Sequence, residues 1–137
     1  MSAAAREIGA LWEEAALAHL RRAGLQPLTR NFICRVGEID LVMLDKGGLD
    51  KSGPETGLRD AGVVFVEVRY RNADARGDGS ATVGPAKRAK LTRAAALYLQ
   101  AHPKLAAQPC RFDVIGCSGT PEQPQFDWVR NAFDAAC

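Results

Sequence analysis

The stretch from Val63 to Arg71, VVFVEVRYR, constrains this chain more than any other segment. Side chains on a strand alternate between two faces. Val64, Val66, Val68 and Tyr70 then share one face, and Phe65, Glu67, Arg69 and Arg71 share the other. The first set is a core face. The second places a carboxylate and a guanidinium two residues apart in a β-branched run that reads as a central strand. An unpaired buried charge costs several kcal/mol, so Glu67 needs a compensating partner. Arg69 is one candidate and a divalent cation is another.

A second segment strengthens the case for a cation. Gly37 to Leu44 reads GEIDLVML, and alternation puts Glu38 and Asp40 on one face, with Ile39, Leu41 and Met43 on the other. If the two strands pair, Asp40 and Glu67 can converge. Two carboxylates about 4 Å apart repel by roughly 4 kcal/mol at an effective dielectric near 20. Mg²⁺ removes that repulsion and takes oxygen ligands, usually one or two carboxylates with water and substrate phosphate.

In order along the chain, GEID, VFVEVRYR, a lysine-bearing helix with AKRAKL, and CRFDVIG resemble the YraN family of uncharacterised bacterial proteins. That family in turn resembles the Holliday-junction-resolvase branch of the PD-(D/E)XK nucleases. The likeness runs from about Gly9 to Phe133. It implies a restriction-endonuclease-like fold, a mixed β-sheet core flanked by α-helices. It also implies a metal held at the positions of Asp40 and Glu67, with the backbone carbonyl of Val68 helping.

Composition fits one α/β domain spanning residues 1–137, with a real hydrophobic core. Hydrophobic residues make up 47% and charged residues 25%, the balance of an ordinary globule. Charges interrupt the N-terminal apolar residues, which argues against a secretory signal, and no apolar run reaches membrane-span length. Cys34, Cys110, Cys117 and Cys137 form no CxxC pair and the only histidines are His19 and His102, so a zinc site is not expected. Scattered free thiols suit a reducing cytoplasm. Net charge is only +2, but Arg69, Arg71, Arg76, Lys87, Arg88, Lys90 and Arg93 crowd one stretch. A local basic patch is the footprint of phosphate contact, although a solvated helix face leaves the same trace.

Helical periodicity predicts an amphipathic helix over about Ala4 to Ala23, with Ile8, Leu11, Trp12, Ala15, Ala16 and Leu20 in one arc and Gly24 just past its end. A short strand is expected over Gln26 to Cys34. Residues 45–62 are polar and aperiodic and read as a flexible inserted loop. A helix should start at Pro85 and run to about Ala101, with Leu91, Ala94, Ala95 and Tyr98 as its core stripe and Lys87 on the same stripe. Arg111 to Cys117 and Gln125 to Val129 read as strands, followed by a short C-terminal helix. The alternation of strands and helices gives a mixed α/β sheet.

The candidate catalytic residues are Asp40, Glu67, Arg69, Glu13 and Lys87, with Asp40, Glu67 and Glu13 as ligands of Mg²⁺ or Mn²⁺. Arg69 stands where the resembled superfamily usually carries lysine. It can grip phosphate and stabilise charge, but it stays protonated and cannot act as a base; otherwise it only neutralises Glu67. Glu13 matches the first-helix glutamate of resolvase-like relatives, or is a solvated helix residue. Glu38 either supports the ligands or pairs with Arg35. Lys87 either reaches the site or extends past its helix end into water. Asp113 is assigned to structural ion pairing. Arg71, Arg76, Arg88, Lys90 and Arg93 are candidates for nucleic-acid contact. The expected activity is a Mg²⁺-dependent endonuclease acting on DNA, on branched or damaged structures. The alternatives are a catalytically inactive nucleic-acid-binding module on the same fold and a protein-interaction scaffold. The resemblance also implies a homodimer, and no membrane partner is expected.

Overall fold

The computed structural model describes residues 3–49, 58–70 and 83–133. Ten elements follow in order: helix α1 (Ala3–Arg22), strands β1 (Leu25–Cys34), β2 (Gly37–Asp45), β3 (Gly48–Leu49), β4 (Leu58–Arg59) and β5 (Gly62–Tyr70), helices α2 (Pro85–Ala101) and α3 (Pro103–Ala106), and strands β6 (Cys110–Gly119) and β7 (Pro124–Phe133). The main sheet has the order β1-β2-β5-β6-β7. Its β5–β6 pair is parallel, joined through α2, and its other pairs are antiparallel. The result is a single-domain, restriction-endonuclease-like α/β core. Among the described residues no helix is long and apolar enough to cross a membrane.

The sheet is buried on both faces, which explains why β5 is apolar almost throughout. On one face Val63, Phe65, Phe112 and Val114 pack against Leu91, Ala94, Ala95 and Tyr98 of α2, the stripe expected from periodicity. On the other, Val64, Val66, Val68 and Ile115 pack against Trp12, Ala16, Leu17 and Leu20 of α1. The buried arc of α1 is centred nearer Leu17 than the sequence suggested. Ile8 and Leu11, at its margin, are therefore 36% and 52% exposed. Gly24 ends the helix with φ 107°, a left-handed conformation that glycine adopts without a Cβ penalty.

Two segments depart from expectation. The connection at 45–62 is not wholly aperiodic: β2 continues to Asp45, β5 begins at Gly62, and β3 pairs with β4 as a small antiparallel ribbon; residues 50–57 lie outside the described residues. The short helix expected after Val129 is strand as far as Phe133, and residues 134–137 lie outside the described residues. Phe133 is buried there and stacks on Phe112 at 4.8 Å, so tertiary packing outweighs the local helical pattern. Asn131, at φ 50°, absorbs the irregular register opposite Phe112 and Val114.

One end of the sheet is closed by a buried polar network. Arg111 donates to Asp113 at 2.9 Å and to Asp45 at 3.0 Å, and both carboxylates are fully buried. Trp128 Nε1 and the Asn131 backbone N–H, each at 2.9 Å, also donate to Asp113. Asp113 is thus a structural ion-pair residue, the role assigned to it from the sequence even though a family motif covers it. Gly62 sits against the same end, where a Cβ would meet the Pro109 carbonyl oxygen at 2.5 Å.

At the other end, among the described residues, β2 and β5 part, and their parting corrects the alternation read for β2. Ile39 does not share a face with Leu41 and Met43. It joins the α2-side core with Val42, whereas Leu41 and Met43 join the α1-side core. Pairing of β2 with β5 stops at Leu41 opposite Val66. Continued register would set Ile39 opposite Val68. Instead the Val68 N–H donates to the carboxylate of Asp40 at 2.8 Å. A side chain replaces a rung of the ladder, the two strands part, and the mouth of the resulting fork carries the acidic residues.

Candidate metal centre

Three elements deliver carboxylates to this mouth. Glu13 comes from the middle of α1, and Glu38 and Asp40 come from the start of β2. One carboxylate oxygen from each lies within 4.8 Å of the others. Glu67 approaches from the other side of the fork. It continues the Val63–Phe65 face of β5 toward α2, where Lys87 Nζ lies 3.6 Å from its Oε1. Glu67 does not belong to the three-carboxylate cluster. Even so, its charge acts on Asp40 more strongly than that of Glu13 or Glu38.

Electrostatics follow from this crowding. Burial pushes the Asp40 carboxyl up to about 8, and the charges of Glu67, Glu13 and Glu38 push the same way against the Val68 hydrogen bond. Burial also raises Glu13, assisted by Glu38 and opposed by the Asn31 amide and Arg30. Glu67 is raised by burial even though Lys87 and Arg69 both favour its charged form. Its Oε2 is buried with no hydrogen-bond partner among the described residues. Several acids are thus held back from ionising in one place, with an orphaned carboxylate oxygen beside them. Hard oxygen donors that repel one another until a cation arrives fit Mg²⁺ or Mn²⁺.

The remaining candidates divide. Lys87 reaches Glu67, although it sits on an exposed turn of α2. Arg69 is half-buried and electrostatically coupled to Glu67. Glu38 makes no ion pair with Arg35 among the described residues; its carboxylate takes a hydrogen bond from the Asn31 side-chain N–H₂ at 2.9 Å once the amide is oriented by its partners. The same amide reaches Glu13 at 3.2 Å. Asn31 is the residue the sequence reading missed. It holds φ 52°, which asparagine tolerates better than most residues, and a lone asparagine inside TRNFIC was the available signal. Arg88 is committed elsewhere: its Nε donates to the Val83 carbonyl at 2.7 Å and its guanidinium lies over the Phe133 ring at 5.4 Å. Lys90 and Arg93 are exposed on α2. Arg71 and Arg76 lie outside the described residues.

Comparison with known proteins gives one consistent answer. The uncharacterised protein family UPF0102 matches residues 12–117, a range that includes Glu13, Asp40, Glu67, Lys87, Arg111 and Asp113. A UPF0102 protein of Xanthomonas euvesicatoria is 49% identical over 135 residues, covering 98% of both chains. Another, from Xylella fastidiosa, is 46% identical over 128 residues, covering 93% of each. A third, from Stutzerimonas stutzeri, is 44% identical over 123 residues, covering 90% of this chain and 91% of the relative. With most of its length matched by the family and by relatives of nearly equal span, the chain belongs to the UPF0102 family.

Proposed function

We propose that this protein is a Mg²⁺- or Mn²⁺-dependent phosphodiesterase acting on DNA. The observation that carries the proposal is the set of carboxylates where β2 and β5 part: Glu13, Glu38 and Asp40 within 4.8 Å, with Asp40 raised to about 8. Asp40, Glu13 and Glu67 are the residues that would hold the cation, and Glu38 and Asn31 would position Glu13. When bound, such an ion supplies Lewis-acid polarisation of a phosphate oxygen and lowers the pKa of a coordinated water. The chain's own contribution is charge and placement. Arg69 and Lys87 flank Glu67 and offer fixed positive charge to the developing negative charge on a transferring phosphoryl group. The Val68 N–H fixes the Asp40 carboxylate, so little reorganisation is needed when substrate arrives.

The test is a cleavage assay with Mg²⁺ and with Mn²⁺ across single-stranded, duplex, flap and four-way DNA. Wild-type protein should cleave at least one of these. Arg69→Ala should lower the rate by about 100-fold or more, with the melting temperature and Mn²⁺ affinity nearly unchanged. Arg69→Lys should retain much of the activity, because it restores a mobile positive charge at the same place. If the wild type is inert on every substrate with either metal, the catalytic proposal fails. Metal-independent, salt-sensitive DNA binding under those conditions would leave a binding module that kept the fold.

A further inference from the structure

The first turns of α2 carry cations that lead away from the carboxylates. Lys87, Lys90 and Arg93 are spaced i, i+3, i+6, so the row climbs about 9 Å along the helix. It turns by roughly 60° at each step, since three residues fall short of one 3.6-residue turn. The start of the row is fixed by Lys87 on Glu67. The middle is fixed by Lys90, whose Cβ would be 4.0 Å from a Cβ on Gly37 in the β1–β2 turn. The end opens into a groove of about 380 Å³ between α2 and that turn, lined by Arg35, Val36, Arg93, Ala96, Leu97 and Gln100.

This groove has a definite chemistry. Arg35 stands on one wall and Arg93 on the other, and both are exposed. Neither makes an ion pair or side-chain hydrogen bond among the described residues. Elsewhere the arginines with assigned contacts are engaged: Arg30 with Glu14, Arg88 with Val83, and Arg111 with Asp45 and Asp113. Two unengaged guanidinium forks facing one channel are suited to phosphate oxygens, which they bind bidentately. Between them Val36, Ala96 and Leu97 provide an apolar floor, which suits the carbon face of a sugar better than it suits a free inorganic ion.

We propose that Arg35 and Arg93 form a second phosphate-binding site, which grips one nucleic-acid strand after it has passed from the carboxylates along Lys87 and Lys90. This rests on the nucleic-acid reading above and adds to it a path, a direction and a residue, Arg35, outside the basic stretch. Because the phosphates of one strand lie farther apart than the rise of about 3.4 Å along the duplex axis, the climb of about 9 Å from Lys87 to Arg93 spans about two phosphates.

The test is equilibrium binding of fluorescently labelled single-stranded and duplex oligonucleotides without divalent metal, measured by anisotropy across a salt series. Binding is thereby separated from cleavage. The double variant Arg35→Ala with Arg93→Ala should lose about 10-fold or more in affinity. Its log–log salt slope should flatten by about 0.7 to 0.9 for each phosphate contact removed. Arg21→Ala with Arg22→Ala removes the same charge from exposed positions at the end of α1, on the other sheet face. That control should lose far less. Equal losses in the two double variants would show only a net-charge effect and overturn the site. Wild-type binding with an unchanged slope in the Arg35/Arg93 variant would overturn it while sparing the nucleic-acid reading. No binding by the wild type would overturn both.

Discussion

Replacing Asp40 with asparagine should make the metal-free protein more stable at pH 8 and abolish its Mn²⁺ binding. The sign follows from proton counting. An unfolded aspartate titrates at 3.8 and Asp40 in the fold at about 8. Between those values the folded state holds more protons than the unfolded chain, so stability falls as pH rises. The contribution is complete below pH 3.8, drains across the interval, and is gone above about 8. At about 1.4 kcal/mol for each pH unit of that interval the loss is at most about 6 kcal/mol, less whatever the neighbours recover by relaxing. Asparagine cannot ionise, so the variant should lack this decline. Its side-chain oxygen can still accept the Val68 N–H, so the fold should persist. For the wild type, Mn²⁺ at about 100 times its dissociation constant should restore roughly 2.7 kcal/mol, and binding should release protons below pH 8. Thermal melts from pH 4 to 8.5 and calorimetry in two buffers of different ionisation enthalpy would check both parts. A pH profile identical in wild type and variant, or undiminished Mn²⁺ affinity in Asp40→Asn, would refute the account of this residue.

The largest loss of stability should come from the opposite end of the sheet. Arg111→Leu strands the buried carboxylates of Asp45 and Asp113. Removing one partner from a buried ion pair costs about 3–5 kcal/mol, because the remaining charge cannot return to water. Burial works against the Arg111 charge, yet hydrogen bonds and charges from Asp113 and Asp45 outweigh it and raise its pKa. Arg111→Lys should fall between wild type and leucine, since one ammonium keeps the charge but cannot span two carboxylates as a planar fork does. Urea unfolding would rank the three proteins. A leucine variant within about 1 kcal/mol of wild type would mean that the Trp128 and Asn131 donors suffice for Asp113 and that Arg111 is dispensable.

These two ends differ in how legible they were. The two core faces and the stripe Leu91–Ala94–Ala95–Tyr98 follow from periodicity because burial there obeys strand and helix repeats, whereas at the closed end only the ion-pairing role of Asp113 was read and Asp45 fell in the expected loop. Glu67 and Asp40 were visible as charges in apolar strands. Their geometry was not, because alternation assumes an unbroken ladder and the ladder ends at Leu41. Asn31 was missed for a related reason: a strand pattern carries no sign of a left-handed residue that turns its amide toward Glu38 and Glu13. The groove between Arg35 and Arg93 joins residues 58 positions apart, and only the tertiary fold brings them together. The extension of β7 to Phe133 was likewise set by contact with Phe112 rather than by local preference.

The rung contributed by Asp40 also narrows what can change at that position. One carboxylate oxygen serves the backbone of β5 and the carboxylate belongs to the acidic cluster, so structural and chemical demands fall on one side chain. A shorter or apolar residue would free an amide at the strand edge and remove a carboxylate from the acidic cluster in the same step. A glutamate would keep the charge but move it past the amide by a methylene. Asparagine alone among ordinary replacements preserves the rung while silencing the charge. In mutational drift, therefore, asparagine keeps the rung without the carboxylate, glutamate keeps a carboxylate without the rung, and other replacements lose both together.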